Sequence, residues 1–195
     1  VLLAGDLADP TTPRRLVDET GDAFGPVTLL VNCASRFQDD RIETVSPQTL
    51  EDHLAPNLKA PILLAQAFAE QLGGDRGGLI VNIIDQRVWR LNPTFFSYTL
   101  SKAALWTATQ TLAQALAPNV RVNAIGPGPT LRSVHQSKEE FSHEAANTLL
   151  GHPAFPDEIA AALAYLIDAP SVTGQMIAVD GGQHLAWRTP DVTGP

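Results

Sequence analysis

Residues 79–125, LIVNIIDQRVWRLNPTFFSYTLSKAALWTATQTLAQALAPNVRVNAI, read as strand, helix, strand. Leu79 to Ile84 and Val120 to Ile125 are short apolar runs, and between them Phe96 to Leu116 carries Leu105, Leu112 and Leu116 at helical spacing. Strands that are apolar throughout and alternate with helices imply a parallel sheet covered on both faces. The unit recurs on either side. Upstream, Val1 to Ala4 reads as a short buried strand, Asp9-Pro10-Thr11-Thr12-Pro13 leads into a helix from Arg14 to Phe24, and Val27 to Val31 is a second strand. Ser46-Pro47 has the form of an N-cap with proline at the first helical position, and a longer helix covers about Leu58 to Leu72. Downstream, Gly126-Pro127-Gly128-Pro129 opens a polar stretch of weak periodicity with a short helix near Glu139 to Leu149, so that roughly 129–155 is expected to be a mobile lid. Pro156 to Asp168 closes with a helix, and Gln175 to Val179 is the last strand.

Composition bounds the function. At 195 residues the chain is expected to form one domain over 1–195, and 44% hydrophobic residues fit a folded protein. A formal charge of −8 without a basic cluster argues against nucleic acid. Cys33, the single cysteine, excludes an internal disulfide, and no apolar run reaches the length of a membrane span. No signal-peptide pattern is visible, so a cytoplasmic protein is the default expectation.

Ligands on doubly wound parallel sheets bind beyond the carboxyl ends of the strands. Asn32, Asp85 and Gly126 each follow directly on an expected strand, so their motifs should open onto one crevice. A Rossmann-like sheet that binds a dinucleotide also needs a glycine-rich turn between its first strand and first helix. Gly73-Gly74-Asp75-Arg76-Gly77-Gly78 precedes a strand, and Asp180-Gly181-Gly182 follows the last one, so both read as plain turns. The chain opens on Val1 without an initiator methionine. The expectation is therefore that it is the remainder of a longer protein, with the first strands and the phosphate turn absent from the 195 residues.

Tyr98 stands four residues before Lys102, on one helix face, and Asp85 lies thirteen residues upstream. A phenol is a useful proton donor near neutral pH only if its pKa falls. Moving it from ~10 toward ~7 takes about 4 kcal/mol, roughly what a cation ~4 Å away supplies at an effective dielectric near 20. Lys102 is expected to supply it.

From Asp6 to Gly182 the sequence resembles the short-chain dehydrogenase/reductase family, with motifs in the proper order. Asp6-Leu7 is similar to the family's adenine-contacting pair. Asn32-Cys33-Ala34-Ser35 resembles the Asn-Asn-Ala-Gly motif beside the cofactor, and Asn57 matches the asparagine that holds a relay water. Tyr98 and Lys102 match the catalytic pair, Lys102 also binding the nicotinamide ribose. Pro127-Gly128 matches the turn beside the nicotinamide, and Val179-Asp180-Gly181-Gly182 the closing strand and turn. Two departures resemble the pteridine reductase branch, which includes bacterial dihydromonapterin and dihydrofolate reductases: Asp85 replaces the usual serine, and Ser35 is followed two residues later by Phe37. The resemblance implies that Phe37 and the nicotinamide sandwich a flat pteridine or folate, and that Asp85 orients it and assists protonation by Tyr98. Asp85 also reads as a strand-end turn residue or helix cap, and Phe37 as a loop-packing residue. NADPH is implied by the branch, with NAD open, and a homotetramer by the family. Two other functions compete: a carbonyl reductase in which Asp85 merely replaces serine, and a catalytically silent binding or oligomer subunit.

Other signals are set aside. His53, His135, His143, His152 and His184 show no metal-ligand spacing, and no metal is expected. Trp89, Trp106 and Trp187 read as packing or subunit-contact residues, although Trp89 could border the pocket. Cys33 reads as a small buried residue.

Overall fold

Four parallel strands, β1 (Leu29–Asn32), β2 (Gly78–Ile83), β3 (Val120–Pro127) and β4 (Met176–Val179), lie side by side in chain order. The computed structural model describes residues 1–73, 76–189 and 192. Register is set by pairs such as Asn32 with Asn82, Asn82 with Ala124 and Ala124 with Met176. The helices are α1 (Thr12–Phe24), α2 (Pro47–Leu54), α3 (Ala60–Leu72), α4 (Phe96–Leu116), α5 (Lys138–Ala146) and α6 (Pro156–Asp168). A π-helical turn, Ala55–Lys59, joins α2 to α3.

Alternation along the strands divides the core into two layers. Ile80 and Val122 point to one face, where Ala65, Phe68 and Leu72 of α3 and Ala113 of α4 cover them. Leu79, Val81 and Ile125 point to the other, against Leu166 and its neighbours on α6. This is the expected α/β, doubly wound arrangement. Gly78 is required at the start of β2, since a Cβ there would come within 2.7 Å of Leu72 Cδ1.

The expected elements stand with one exception. The ends of α4 and α6 fall where the periodicity placed them, and Ser46 caps α2 by accepting from the Thr49 N–H at 3.1 Å. Val1 to Ala4, expected as a buried strand, is irregular: Leu2 is fully exposed and the run pairs with no strand among the described residues. Apolar composition alone does not make a strand where no ladder accepts its backbone hydrogen bonds. The turn expected at Gly73 to Gly78 includes Gly74 and Asp75, which lie outside the described residues. No helix among the described residues is long and apolar enough to cross a membrane.

Candidate active site

The strand ends open onto a cleft of about 590 Å³. Its walls include Ser35, Phe37, Asp85, Tyr98, Lys102 and Pro127-Gly128, drawn from segments spread over nearly a hundred positions. Beside it lies an apolar groove of about 360 Å³ lined by Leu7, Asn32 and Ala34, and Cys33 borders both. Cys33 is exposed there, which corrects the expectation of a buried residue. Asp6 lines neither space and instead accepts a hydrogen bond from the Ala8 N–H at 2.9 Å.

The centre of the cleft is a hydrogen bond. Tyr98 Oη donates to Asp85 Oδ2 at 2.9 Å, while Asp85 Oδ1 accepts from the Arg87 N–H at 2.7 Å and caps the short 3₁₀ turn Gln86–Val88. Lys102 is buried, and its Nζ donates to the Ile83 carbonyl at 2.9 Å. Burial dominates the electrostatics. It raises the Asp85 carboxyl above the ordinary carboxylate value, against the Arg87 N–H and charge, the Tyr98 hydrogen bond and Lys102. It lowers Lys102 from 10.5 to about 8, against Asp85 and Cys33. Tyr98 is pushed well above 10 by burial first, then by the charge of Asp85 and the hydrogen bond to it. That is opposite to the expected lowering by Lys102. The lysine ammonium donates to a backbone carbonyl, and the nearest ionic partner of the phenol is an anion.

Phe37 is half-buried and makes both of its ring contacts within the protein. It stacks on Phe95 with centroids 4.2 Å apart and planes 3° from parallel, and meets Tyr98 edge-on at 4.7 Å. The Arg87 guanidinium lies 5.1 Å from the Phe95 centroid. Loop packing is thus part of what Phe37 does, and its place on the cleft wall is the other part.

Asn57 stands behind the wall, in the π-helical turn and fully buried. Its Oδ1 accepts from the Arg36 N–H (2.7 Å) and Ser35 Oγ (3.2 Å), and its Nδ2 donates to the Arg36 carbonyl and to Ser101 Oγ, both at 2.9 Å. A side-chain amide has no further positions to offer, so this side chain fixes the Ser35-Arg36 loop and leaves any water to the backbone. Asn32 Nδ2 donates to Asn82 Oδ1 (2.8 Å) and Asn82 Nδ2 to Thr109 Oγ1 (2.9 Å), which ties β1 and β2 to α4. Gly128 is needed for packing, because a Cβ there would come within 2.7 Å of the Asp180 Cα.

Comparison with known proteins bears on the family and the fold. The family model described as enoyl-(acyl carrier protein) reductase matches residues 1–184. The chain belongs to the short-chain dehydrogenase/reductase family. Among its relatives, an uncharacterised oxidoreductase of Methylorubrum extorquens is 32% identical over 190 residues, covering 93% of this chain and 76% of that protein. Glucose and ribitol dehydrogenase homolog 2 of Arabidopsis thaliana is 28% identical, and the chain spans 65% of its length. Among solved structures, FolM alternative dihydrofolate reductase 1 from Brucella suis, in complex with NADP, is 50% identical with a TM-score of 0.94, covering 98% of this chain and 76% of that one. The Brucella canis protein, also complexed with NADP, is 50% identical with a TM-score of 0.95, covering 99% and 76%.

Within this short-chain dehydrogenase/reductase frame, several cleft residues have no motif to mark them, Phe95, Arg87 and Glu144 among them. Phe95 and Arg87 build the wall behind Phe37. Glu144 of α5 lines the cleft with each carboxylate oxygen held by a glutamine amide, Gln183 at 3.1 Å and Gln136 at 2.8 Å. Their separation in sequence hides them. Only the aromatic pair Phe95-Phe96 just before the Tyr98 helix was a visible signal.

Proposed function

We propose that the protein is an NADPH-dependent reductase of the pteridine ring of dihydropterins or dihydrofolate. The observation that carries the reading is the half-buried Asp85 carboxylate bonded to the Tyr98 phenol beside an aromatic wall. A serine hydroxyl at this position would suit a ketone oxygen. A carboxylate instead accepts from ring N–H and amino groups, and when protonated it donates. The Brucella proteins, 50% identical to this chain over the aligned region and dihydrofolate reductases by name, support the same substrate class.

The residues present fit the nicotinamide end of the cofactor. Lys102 and Tyr98 would hold the ribose, Pro127-Gly128 and Thr130 line the cleft beside them, and the apolar groove past Cys33 extends toward Leu7. NAD in place of NADPH is the variant of this reading. When bound, the cofactor supplies a hydride to a carbon of the ring C=N bond. The chain supplies the proton. Because burial raises Asp85 toward neutrality, its protonated form is better matched to protonating the adjacent nitrogen than an ordinary carboxyl group would be. Tyr98, held protonated, donates a hydrogen bond to Asp85 or to the substrate, and solvent returns the proton that Asp85 gives up in each turnover. Residues 129–155 close over the substrate as a lid, and the working assembly is a homotetramer in the cytoplasm.

The test is turnover of dihydrobiopterin or dihydrofolate with NADPH by Asp85→Ser and Asp85→Ala. Loss of about 10²-fold or more in kcat is expected, the size of effect that general acid catalysis supplies. Unchanged turnover in both variants would remove Asp85 from the mechanism. Preferential reduction of ketones by the Asp85 protein would identify a carbonyl reductase instead.

A further inference from the structure

Helix α4 begins without a cap of its own. Phe95, at its N-terminal boundary, lies in the left-handed region at φ 52° and ψ 50° and makes no side-chain hydrogen bond to the helix. That conformation is costly for a bulky residue and persists only where its surroundings hold it. The first N–H groups of a helix also need acceptors. Here they come from a loop more than fifty residues away in the chain.

Asp40 provides them. It is buried, and among the described residues no cation pairs with it. Its Oδ1 accepts from the Ser97 N–H at 2.9 Å, and its Oδ2 accepts from the Ser97 hydroxyl. Its backbone carbonyl accepts from the Phe96 N–H at 3.1 Å, and the adjacent Asp39 Oδ1 accepts from the Phe95 N–H at 3.3 Å. A carboxylate at a helix N-terminus is also where the helix dipole favours negative charge. These bonds join the loop that carries Phe37 to the helical turn that carries Tyr98, and the Phe37–Phe95 stack closes the same junction. Tyr98 is the third residue of α4, so the reach of its hydroxyl to Asp85 depends on where that first turn is held.

We propose, on the reading of Tyr98 as the reacting phenol, that Asp40 is a positioning residue: a helix cap supplied by the substrate-side loop, which makes the aromatic wall and the phenol one rigid body. Asp40 touches neither the cleft nor the reacting atoms. Its effect reaches them through Ser97 and Phe95.

The experiment compares Asp40→Ala, Asp40→Asn and Ser97→Ala by two readouts. The first is the tyrosinate absorbance of Tyr98 against pH in a Tyr165→Phe background, Tyr165 being the other tyrosine and exposed. With Asp40 in place Tyr98 stays protonated past the pH at which a free phenol ionises, about 10. In Asp40→Ala the freed turn admits water, and the ionisation moves down toward that value. Asp40→Asn, which keeps an acceptor for the Ser97 N–H, restores most of the difference. The second readout is kinetic: Asp40→Ala lowers kcat for dihydropterin reduction by about 10²-fold, the consequence of a misplacement near 1 Å, with KM for NADPH within about threefold. An Asp40→Ala protein that titrates and turns over as the parent does, or an Asp40→Asn protein that rescues nothing, overturns the proposal. If Asp40→Ala does not fold, Ser97→Ala decides, since the same changes at smaller size are expected and their absence is equally fatal. If the parent reduces no pteridine, the substrate reading falls while the titration alone still judges Asp40.

Discussion

Asp85 serves two partners with one carboxylate. Read along the chain it is either a helix cap or a reacting group; in the structure its Oδ1 caps through the Arg87 N–H while its Oδ2 accepts from the Tyr98 phenol. The Tyr98 and Lys102 spacing was legible because helical periodicity alone puts both on one face. The sign of the Tyr98 shift was not legible, since it depends on burial and on an anion brought close by folding. Phe37 has a comparable double contact, and mutation separates its two parts. Phe37→Leu should raise KM for a dihydropterin about tenfold, near the low end of the ~1–3 kcal/mol that aromatic stacking on a heterocycle contributes. If the variant loses only thermal stability and its KM is unchanged, Phe37 does no more than pack against Phe95.

Among the elements, α6 shows how a boundary visible in sequence is held by a residue that is not. Its start was marked by Pro156 with Asp157 and Glu158 in the first turn. Its end is held by Arg121 of β3, whose Nη1 donates to the carbonyls of Leu166 (2.8 Å) and Ala169 (3.0 Å) and whose Nη2 donates to that of Ile167 (3.2 Å). The final carbonyls of a helix have no partners within it, so this guanidinium acts as a cap supplied from the sheet. Arg121→Met keeps the apolar stem and removes the donors. It should cost about 2 kcal/mol and lower Tm by about 4–8 °C for a domain of this size, as read by calorimetry. An unchanged Tm would mean that water serves those carbonyls equally well. Val1 to Ala4 is the opposite case, a run whose composition suggests a strand but which no strand among the described residues pairs.

Over the whole molecule, the buried Lys102 ties stability to pH. Its folded pKa is about 8 against an ordinary lysine value of 10.5, so between those values the unfolded chain holds a proton that the folded one does not, and stability rises with pH. Below about pH 8 both states are protonated and the folded protein carries the full penalty of a buried ammonium, about 3 kcal/mol by the size of the shift. Lys102→Met should therefore stabilise the protein at pH 7 by up to about that amount while abolishing reduction, and the difference between the two proteins should shrink as pH rises from about 8 toward 10.5. Equal denaturant midpoints for the two at pH 7 would contradict it. By itself the sequence determined what is local or periodic: strands from apolar runs, helices from spacing and caps, and the Tyr98 and Lys102 pair from one helix turn. Only the tertiary structure decided what depends on proximity between distant segments. Asp40 caps a helix that begins near Phe95, Asn57 spends its amide on the Arg36 loop, and Phe95 backs Phe37. Desolvation, hydrogen-bond satisfaction and ring stacking are set by distances in space, and no one-dimensional pattern encodes them until the sheet has brought the strand ends together.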